Sequence, residues 1–222
     1  MQKNTVYDYK NHAADLHSNV PPDWYVRSMK ENLLQRYWHN RRFQEVKKLV
    51  EPTGGYILDI GSADGTFTKV ILDRSGASKV VGIDVLEKSV LFAKKRFARS
   101  KKMSFKTGDA HALPFTNNEF DGVFCLETME HVEDPDKVIK EASRVLKKNG
   151  YMIVLVPSEN WLFRFIVWPL WTLWRGKIWK DTHLHQFKAD QLISYLEKGG
   201  FKVCQNQKFL LGMLQAIKVE KQ

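Results

Sequence analysis

Short apolar stretches alternate with helical patterns through the middle of the sequence. We predict strands at five of these stretches: Tyr56–Ile60, Lys79–Ile83, Met103–Lys106, Phe120–Cys125 and Tyr151–Val156. Patterns with a period near 3.6 predict helices between them, over Phe67–Arg74, Glu87–Ala98 and Pro135–Leu146. Near-continuous apolar strands separated by helices are typical of a parallel sheet that is covered on both faces. We therefore expect an α/β protein with a doubly wound, mostly parallel, Rossmann-like sheet.

Further elements lie on both sides of this alternating region. Residues 1–20 are polar and are predicted to be irregular, and a helix broken once is predicted from Asp23 to Val50. After a helix over Ala189–Lys198, two apolar stretches are predicted to pair antiparallel at one edge, which completes seven strands. The 222 residues suit one such domain. We expect a helical cap or lid over 1–50 and a catalytic domain over 51–222, with an insertion at 159–188 after the fifth strand.

The first strand ends in a turn of small residues, Gly61-Ser62-Ala63-Asp64-Gly65. Gly61 and Gly65 permit a tight turn and the close approach of a ligand to the backbone, and Ala63 adds only a methyl group. The helix that follows presents its free N–H groups and positive end to that ligand. We therefore expect this turn, Ser62 included, to bind a cofactor.

Acidic residues mark the ends of the first three strands. Asp84, about twenty residues after the turn, is placed to accept hydrogen bonds from both hydroxyls of a ribose. Asp109 is placed to accept from the amine of adenine, and Val85 and Ala110 are expected contacts beside these two acids. Asp59, at the head of the turn, would repel a pyrophosphate and suits an ammonium group. These residues together predict S-adenosylmethionine as the ligand.

Each acid also has a structural interpretation. Asp59 could cap the helix that begins near Thr66, Asp84 could be a turn residue at a strand end, and Asp109 could close an Asx turn.

The arrangement resembles the class I S-adenosylmethionine-dependent methyltransferases, in particular the small-molecule branch that includes the ubiquinone and menaquinone biosynthesis methyltransferases. The resemblance runs from about Gly54 to Gly200, and it includes "FDGVFCLETMEHVEDPDKVIKEASRVLKKNGYMIVLVP" as the fourth strand, a helix and the fifth strand. Ala63 replaces the middle glycine of the family's turn. The resemblance implies methyl transfer to an acceptor that the sequence does not name.

The loop after the fourth strand, "LETMEHVEDP", faces the transferred methyl group in this family. His131 is a candidate general base, because an imidazole titrates near neutral pH, or it orients the loop instead. Glu127 is a candidate catalytic residue or a contact to the cofactor through its backbone. Nucleic-acid methyltransferases of the amine type place Asn/Asp-Pro-Pro-Tyr/Phe after this strand, and that motif is missing, so we expect no nucleic-acid substrate.

The stretch from Asn160 to Lys180 carries five of the chain's seven tryptophans. Its apolar part is too short to cross a bilayer, which takes about 20 residues, and too uniformly apolar for an ordinary exposed helix. Aromatic residues next to Arg175, Lys177 and Lys180 are typical of a membrane-interface anchor. We predict peripheral membrane contact through 161–180 and a hydrophobic or lipid-like acceptor. The alternative is a soluble acceptor with this stretch in a homodimer interface.

The remaining features narrow the function further. The net charge of +10 would attract the protein to an anionic surface, or it could simply reflect a basic face in contact with solvent. Cys125 and Cys204 are predicted to be buried thiols, and with the polar residues 1–20 they favour the cytoplasm, at the membrane surface if the aromatic stretch binds lipid.

His183 and His185 are expected to line the acceptor pocket or to anchor the insertion rather than to bind a metal. A nucleotide-binding oxidoreductase is the remaining alternative.

Overall fold

The computed structural model describes residues 8–158, 160–174, 182–185, 187 and 191–222. The helices in this part of the chain are α1 (Tyr9–Leu16), α2 (Trp24–Glu31), α3 (Leu33–Leu49), α4 (Thr66–Ser75), α5 (Glu87–Arg96), α6 (Pro135–Val145), α7 (Trp168–Trp174) and α8 (Gln191–Lys198). The strands are β1 (Tyr56–Ile60), β2 (Lys79–Asp84), β3 (Met103–Thr107), β4 (Phe120–Leu126), β5 (Leu146–Pro157), β6 (Phe201–Phe209) and β7 (Leu214–Lys221).

The strands form one seven-stranded sheet in the order β3-β2-β1-β4-β5-β7-β6. The pairs among β1 to β5 are parallel, whereas β7 runs antiparallel to both β5 and β6. The predicted doubly wound, mostly parallel α/β sheet is confirmed. The order reverses between β1 and β4, where the chain leaves β3 and crosses to the other side of β1, so a crevice opens there at the carboxyl ends of the strands.

Each face of the sheet carries its own apolar core. Alternate residues of a strand point to opposite faces, so Ile57 packs with α3 and α4 whereas Leu58 and Ile60 pack with α6 and α8. The helix α5 packs against β2 and β3 through Val90 and Ala93. The buried strands explain why their sequences are almost continuously apolar.

The N-terminal region differs from the expectation for residues 1–20, because Tyr9–Leu16 is helical. The predicted break in the next helix lies at Asn32, whose side chain accepts hydrogen bonds from the backbone of Leu34 and Gln35 at the start of α3. Apolar residues at this end of α3 face solvent, with Leu33 72% and Leu34 79% exposed.

The aromatic stretch is helical where it is described. A π-helical turn over Phe163–Val167 leads directly into α7, and Phe163 is buried. Side chains on the outer side are exposed: Trp161, Phe165, Ile166, Leu170 and Leu173. None of the helices in the described ranges is long and apolar enough to span a membrane. Arg175, Lys177 and Lys180, on which the anchor prediction partly rests, lie outside the described residues.

The two cysteines have different surroundings. Cys125 is buried in β4, as predicted, but Cys204 is exposed. The prediction was wrong for Cys204 because β6 is the edge strand of the sheet, and one of its faces meets solvent.

Candidate active site

The turn after β1 is tied to the neighbouring strand by its backbone. The N–H groups of Gly61 and Ser62 donate to the carbonyl oxygen of Ile83, at 2.8 and 3.0 Å. The backbone angle φ is +75° at Gly61, +43° at Ala63 and +77° at Gly65, a region that favours glycine. The turn therefore lies flat against the end of β2, with its backbone facing the crevice.

The carboxylate of Asp84 joins this turn to the loop after β2. Its Oδ2 accepts from the N–H of Ala63 at 2.8 Å, and its Oδ1 accepts from the N–H of Leu86 at 2.9 Å. Burial raises the pKa of Asp84, against the effect of these two bonds. A carboxylate oxygen has two lone pairs, so each oxygen keeps capacity for a ligand hydroxyl.

Asp109 is held by His111, which the sequence did not single out. Its Oδ1 accepts from the backbone N–H of His111 at 2.8 Å and from the Nδ1–H of the ring at 2.7 Å. Burial opposes ionisation of Asp109, but these bonds, with the charge of Lys137, lower its pKa overall. The Nε2 atom of His111 accepts from Asp134, and its ring stacks on Tyr9 at 4.3 Å, which places α1 beside the cofactor end of the site.

The expected contacts Asp59, Ser62 and Gly65 lie outside the pocket that this turn borders. Asp59 is 1% exposed and accepts from the hydroxyl of Thr68 in α4 at 2.6 Å, and burial raises its pKa to about 7. Gly65 lies so close to Phe105 that a Cβ there would be 2.7 Å from its ring. These three residues therefore support the turn from the side that faces away from the pocket.

The pocket at the carboxyl ends of β1 to β4 contains the other expected cofactor contacts: Gly61, Ala63, Asp84, Val85, Asp109, Ala110 and Glu127. Apolar walls come from Ile60, Ile83, Leu86 and Val132. Two carboxylates between apolar walls fit the hydroxyls and amine of an adenosine and leave room for its flat base. We call this the donor pocket.

A second pocket adjoins the first. It is lined by α2 and α3, by the loop after β4, and by the aromatic stretch: Trp24, Tyr25, Leu34, Gln35, Trp38, His39, Arg42, Glu127, Glu130, His131, Pro157, Phe163, Val167, Trp168, Trp171, His183 and Leu214. Four residues line both pockets: Trp24, Tyr25, Glu127 and His131. The two pockets comprise about 960 and 1120 Å³, including their openings to solvent. We call the second one the acceptor pocket.

Glu127 lies where the two pockets meet and has an unusual backbone. Its φ is +53°, and its N–H donates to the carbonyl oxygen of Leu155 at 2.7 Å. Its carboxylate forms an ion pair with Arg42 of α3 and accepts from the hydroxyl of Tyr25 at 3.4 Å. A left-handed conformation in a residue that is not glycine is costly and is common at functional sites.

His131 is held in one tautomer. Its Nδ1–H donates to the carbonyl oxygen of Thr182 at 2.8 Å, so Nε2 carries the lone pair of the neutral ring. Burial, together with the nearby His183 and His17, lowers its pKa well below 6.5. The rings of His17 and His183 meet it edge-on, with centroids 4.8 and 4.9 Å away. The imidazole is therefore neutral near pH 7, which is the form that can act as a base.

His183 and His185 contact their surroundings from the segment that follows the aromatic stretch. His183 lines the acceptor pocket and lies 4.4 Å from the ring of Trp168, and His185 donates from Nε2 to the carbonyl oxygen of Glu133. Side-chain atoms of Glu130, His131 and His183 that could bind a metal ion lie within 4.8 Å of one another. The spacing of His183 and His185 in the sequence did not predict this group.

The helix α2 and the turn after β1 are linked through Asp64. Its carboxylate accepts from the N–H of Val26, in the first turn of α2, at 3.2 Å. Arg96 of α5 donates to the backbone carbonyl of Asp64 at 3.1 Å and to the hydroxyl of Thr66 at 2.7 Å. The start of α2 is thus fixed to the turn that borders the donor pocket.

Comparisons with known proteins identify the family. A family model described as a methyltransferase domain matches residues 58–154. A demethylmenaquinone methyltransferase from Lactobacillus johnsonii is 30% identical over 210 residues, which cover 85% of this chain and 84% of that protein. A ubiquinone biosynthesis O-methyltransferase from Pelagibacter ubique is 34% identical over 136 residues, which cover 61% and 53%.

A solved structure shows the same fold. It is a methyltransferase from Thermotoga maritima described as a possible histamine N-methyltransferase, with a TM-score of 0.69 and 23% identity over 96% of this chain and all of that one. The methyltransferase domain and the similar curated enzymes show that the chain is an enzyme that uses S-adenosylmethionine. The chain belongs to the class I S-adenosylmethionine-dependent methyltransferases, in the small-molecule branch that includes the ubiquinone and menaquinone biosynthesis enzymes. The oxidoreductase alternative is thereby set aside.

Proposed function

We propose that this enzyme methylates a small, predominantly apolar acceptor that binds in the acceptor pocket. The observation that carries the proposal is the lining of that pocket, which includes five large aromatic side chains: Trp24, Trp38, Phe163, Trp168 and Trp171. Aromatic side chains of this size each bury about 150–250 Å² and favour a flat apolar partner. The names of the similar proteins, which refer to demethylmenaquinone and ubiquinone, support an acceptor with a ring.

We assign donor binding to the backbone of Gly61 and Ala63, to Asp84 for the ribose and to Asp109 for the adenine amine. Val85 and Ala110 then provide apolar contacts beside the base, and Asp59, Ser62 and Gly65 support the turn. When bound, the sulfonium supplies an electrophilic methyl group. The protein's part is to orient the acceptor and to accept its proton.

His131 and Glu127 are the proposed catalytic residues, because both lie where the two pockets meet. His131 is neutral and has its lone pair on Nε2, which suits a general base. Glu127 is ion-paired with Arg42, and this pairing suits a positioning role better than proton transfer. His131→Gln should therefore lower kcat more than it raises the KM of the acceptor.

We also propose that the stretch 161–180 contacts a membrane, through the exposed apolar side chains of its described part, so that the acceptor reaches the pocket from lipid. The exposed apolar side chains of this face support the proposal, and the chain's positive charge favours an anionic surface. A homodimer interface for a soluble-acceptor enzyme is the alternative.

Two pairs of substitutions separate the pocket from the outer face. Trp168 and Trp171 line the pocket, whereas Phe165 and Leu173 are 70% and 82% exposed. Trp168→Ser with Trp171→Ser should raise the KM for a short-chain demethylated quinol in detergent at least about tenfold, through lost apolar contact. Phe165→Ser with Leu173→Ser should leave that KM unchanged but weaken sedimentation with anionic vesicles.

The controls decide between the alternatives. Affinity for S-adenosylmethionine, measured by calorimetry, should stay within about twofold in both double variants, since neither pair lines the donor pocket. Activity on histamine but not on the quinol would overturn the apolar-acceptor proposal. Two results together would favour the dimer: the wild type does not bind anionic vesicles at low salt, and the Phe165→Ser/Leu173→Ser variant is monomeric where the wild type is dimeric.

A further inference from the structure

Arg42 looks like one of several basic surface residues in the sequence, yet it is only 5% exposed and lines the acceptor pocket. Burial lowers its pKa to about 10, so its guanidinium remains charged near neutral pH. It lies over the ring of Tyr25 at 5.7 Å. A buried charged side chain in the wall of a pocket needs partners, and those partners indicate its role.

A chain of hydrogen bonds fixes the orientation of Arg42. Its Nη2 donates to Nδ1 of His39, and Nε2–H of His39 donates to the hydroxyl of Ser28 at 2.8 Å. That hydroxyl donates in turn to the carbonyl oxygen of Tyr25 at 3.1 Å. Burial, and then the charge of Arg42, lowers the pKa of His39 to about 2, so the ring stays neutral and continues to accept from Arg42.

The guanidinium still has unused hydrogen-bond donors. Of its five N–H groups, one on Nη1 is directed to Glu127 and one on Nη2 to His39. Its Nε is buried and has no acceptor within the described part of the chain. An unpaired buried donor is unfavourable, and Arg42 lines the acceptor pocket, so a ligand there that supplies an acceptor to the guanidinium is favoured.

The surrounding charges decide what kind of acceptor fits. Glu127 already neutralises Arg42, and the nearby carboxyl of Glu130 also acts on it. An anionic ligand group would be attracted by one guanidinium and repelled by two carboxylates. A neutral oxygen, such as a hydroxyl or a carbonyl on a ring, takes the hydrogen bond without that repulsion.

We propose that Arg42 is a specificity-determining residue that donates a hydrogen bond to a neutral oxygen on the ring of the methyl acceptor. The acceptor class is therefore an apolar, oxygen-bearing ring compound, not an apolar carboxylate or a plain hydrocarbon. His39 and Ser28 are positioning residues that act through Arg42. This inference rests on the proposed function, since it assumes that the acceptor occupies the acceptor pocket.

Three bicyclic ligands test the inference: 1-naphthol, naphthalene and 1-naphthoate, titrated by calorimetry into protein saturated with S-adenosylhomocysteine. Wild type should bind 1-naphthol about ten- to hundredfold more tightly than naphthalene, as expected for one hydrogen bond to a charged group. It should also bind 1-naphthol more tightly than 1-naphthoate. Arg42→Lys, which keeps a charge beside Glu127 but loses the planar fork, should bring naphthol and naphthalene within about threefold.

Arg41→Gln is the matched control. Arg41 is the adjacent residue of α3, is one-third exposed and pairs with Gln44 and Glu45, away from the pocket lining. This variant should keep the full preference for 1-naphthol. Melting temperatures of both variants show whether either change acts through folding.

Other outcomes overturn the inference in distinguishable ways. Equal affinity of the wild type for naphthol and naphthalene, or a preference for naphthoate, removes the role of Arg42 and leaves the methyltransferase function intact. An Arg42→Lys variant that is folded and retains the naphthol preference does the same. Failure of all three ligands to bind, although S-adenosylmethionine binds, removes both this inference and the apolar acceptor.

Discussion

Replacing Asp84 with asparagine changes a residue that uses both of its carboxylate oxygens. Oδ1 accepts from Leu86 and Oδ2 accepts from Ala63. Asparagine retains one oxygen, and its amide nitrogen would face one of these two N–H donors. One hydrogen bond to the backbone is therefore lost, and a donor is placed against a donor.

The magnitude follows from those contacts. A hydrogen bond to a charged group contributes about 1.5–3 kcal/mol, and burial, which raises the pKa of Asp84, reduces what the charge adds. We therefore expect a loss near the lower end, about 1.5–2 kcal/mol in the free energy of unfolding. In a chain of this size, each kcal/mol shifts the melting temperature by about 2–4 °C, which gives a decrease of about 3–8 °C.

Donor affinity should fall more than stability suggests, because the ribose hydroxyls lose their charged acceptor as well. We expect affinity for S-adenosylmethionine to decrease by at least about tenfold, measured by calorimetry. Asp73→Asn is the control, since Asp73 is 56% exposed and pairs with Lys69 on the outside of α4. Its effect should be below about 1 kcal/mol. An Asp84→Asn variant that binds S-adenosylmethionine as tightly as wild type would refute this assignment of the ribose site.

Two further predictions concern the turn and the buried histidines. Gly61→Ala should abolish donor binding and destabilise the protein by about 2–4 kcal/mol, because the new Cβ would lie 2.7 and 2.8 Å from Cγ2 and Cβ of Thr128 at a positive φ; Gly54→Ala, also at a positive φ but in open space, should cost only about 1–2 kcal/mol in urea unfolding. The folded-state pKa values of His17 and His131 are lowered from 6.5, so the unfolded chain binds these protons first, and stability should fall as pH drops below about 6.5. Thermal melts between about pH 7.5 and 5.5 should show a shallower fall for His131→Gln than for wild type, and equal slopes would contradict the burial of His131.

Most of the sheet could be predicted from the sequence because its strands are buried on both faces. Such strands are apolar at almost every position, and β1 and β2 were located to within a residue. The turn after β1 was equally clear, because the small residues Gly61 and Ala63 are suited to the positive φ angles of a tight turn. Asp84 and Asp109 could be expected in one pocket because the ends of parallel strands meet at one edge, and both line the pocket there.

The acceptor side could not be predicted to the same depth. Nothing in the composition of α3 distinguishes Arg42, which is buried, from Arg41 beside it, because only tertiary contact with Glu127 determines which one is enclosed. The helix α1 was missed because its eight residues include few large apolar side chains and are held by contacts such as the stacking of Tyr9 on His111. Local sequence does not record partners that are about a hundred residues away.

The start of α2 forms part of the wall of both pockets, and this has a thermodynamic consequence. Trp24 and Tyr25 border donor and acceptor alike, while Asp64 fixes the same turn of helix to the donor side. A displacement of α2 that improves the fit in one pocket alters the other. If filling the donor pocket changes acceptor affinity by some factor, filling the acceptor pocket must change donor affinity by that same factor. The two substrates are therefore expected to bind as a coupled pair, with a reciprocity that calorimetry on either one can read.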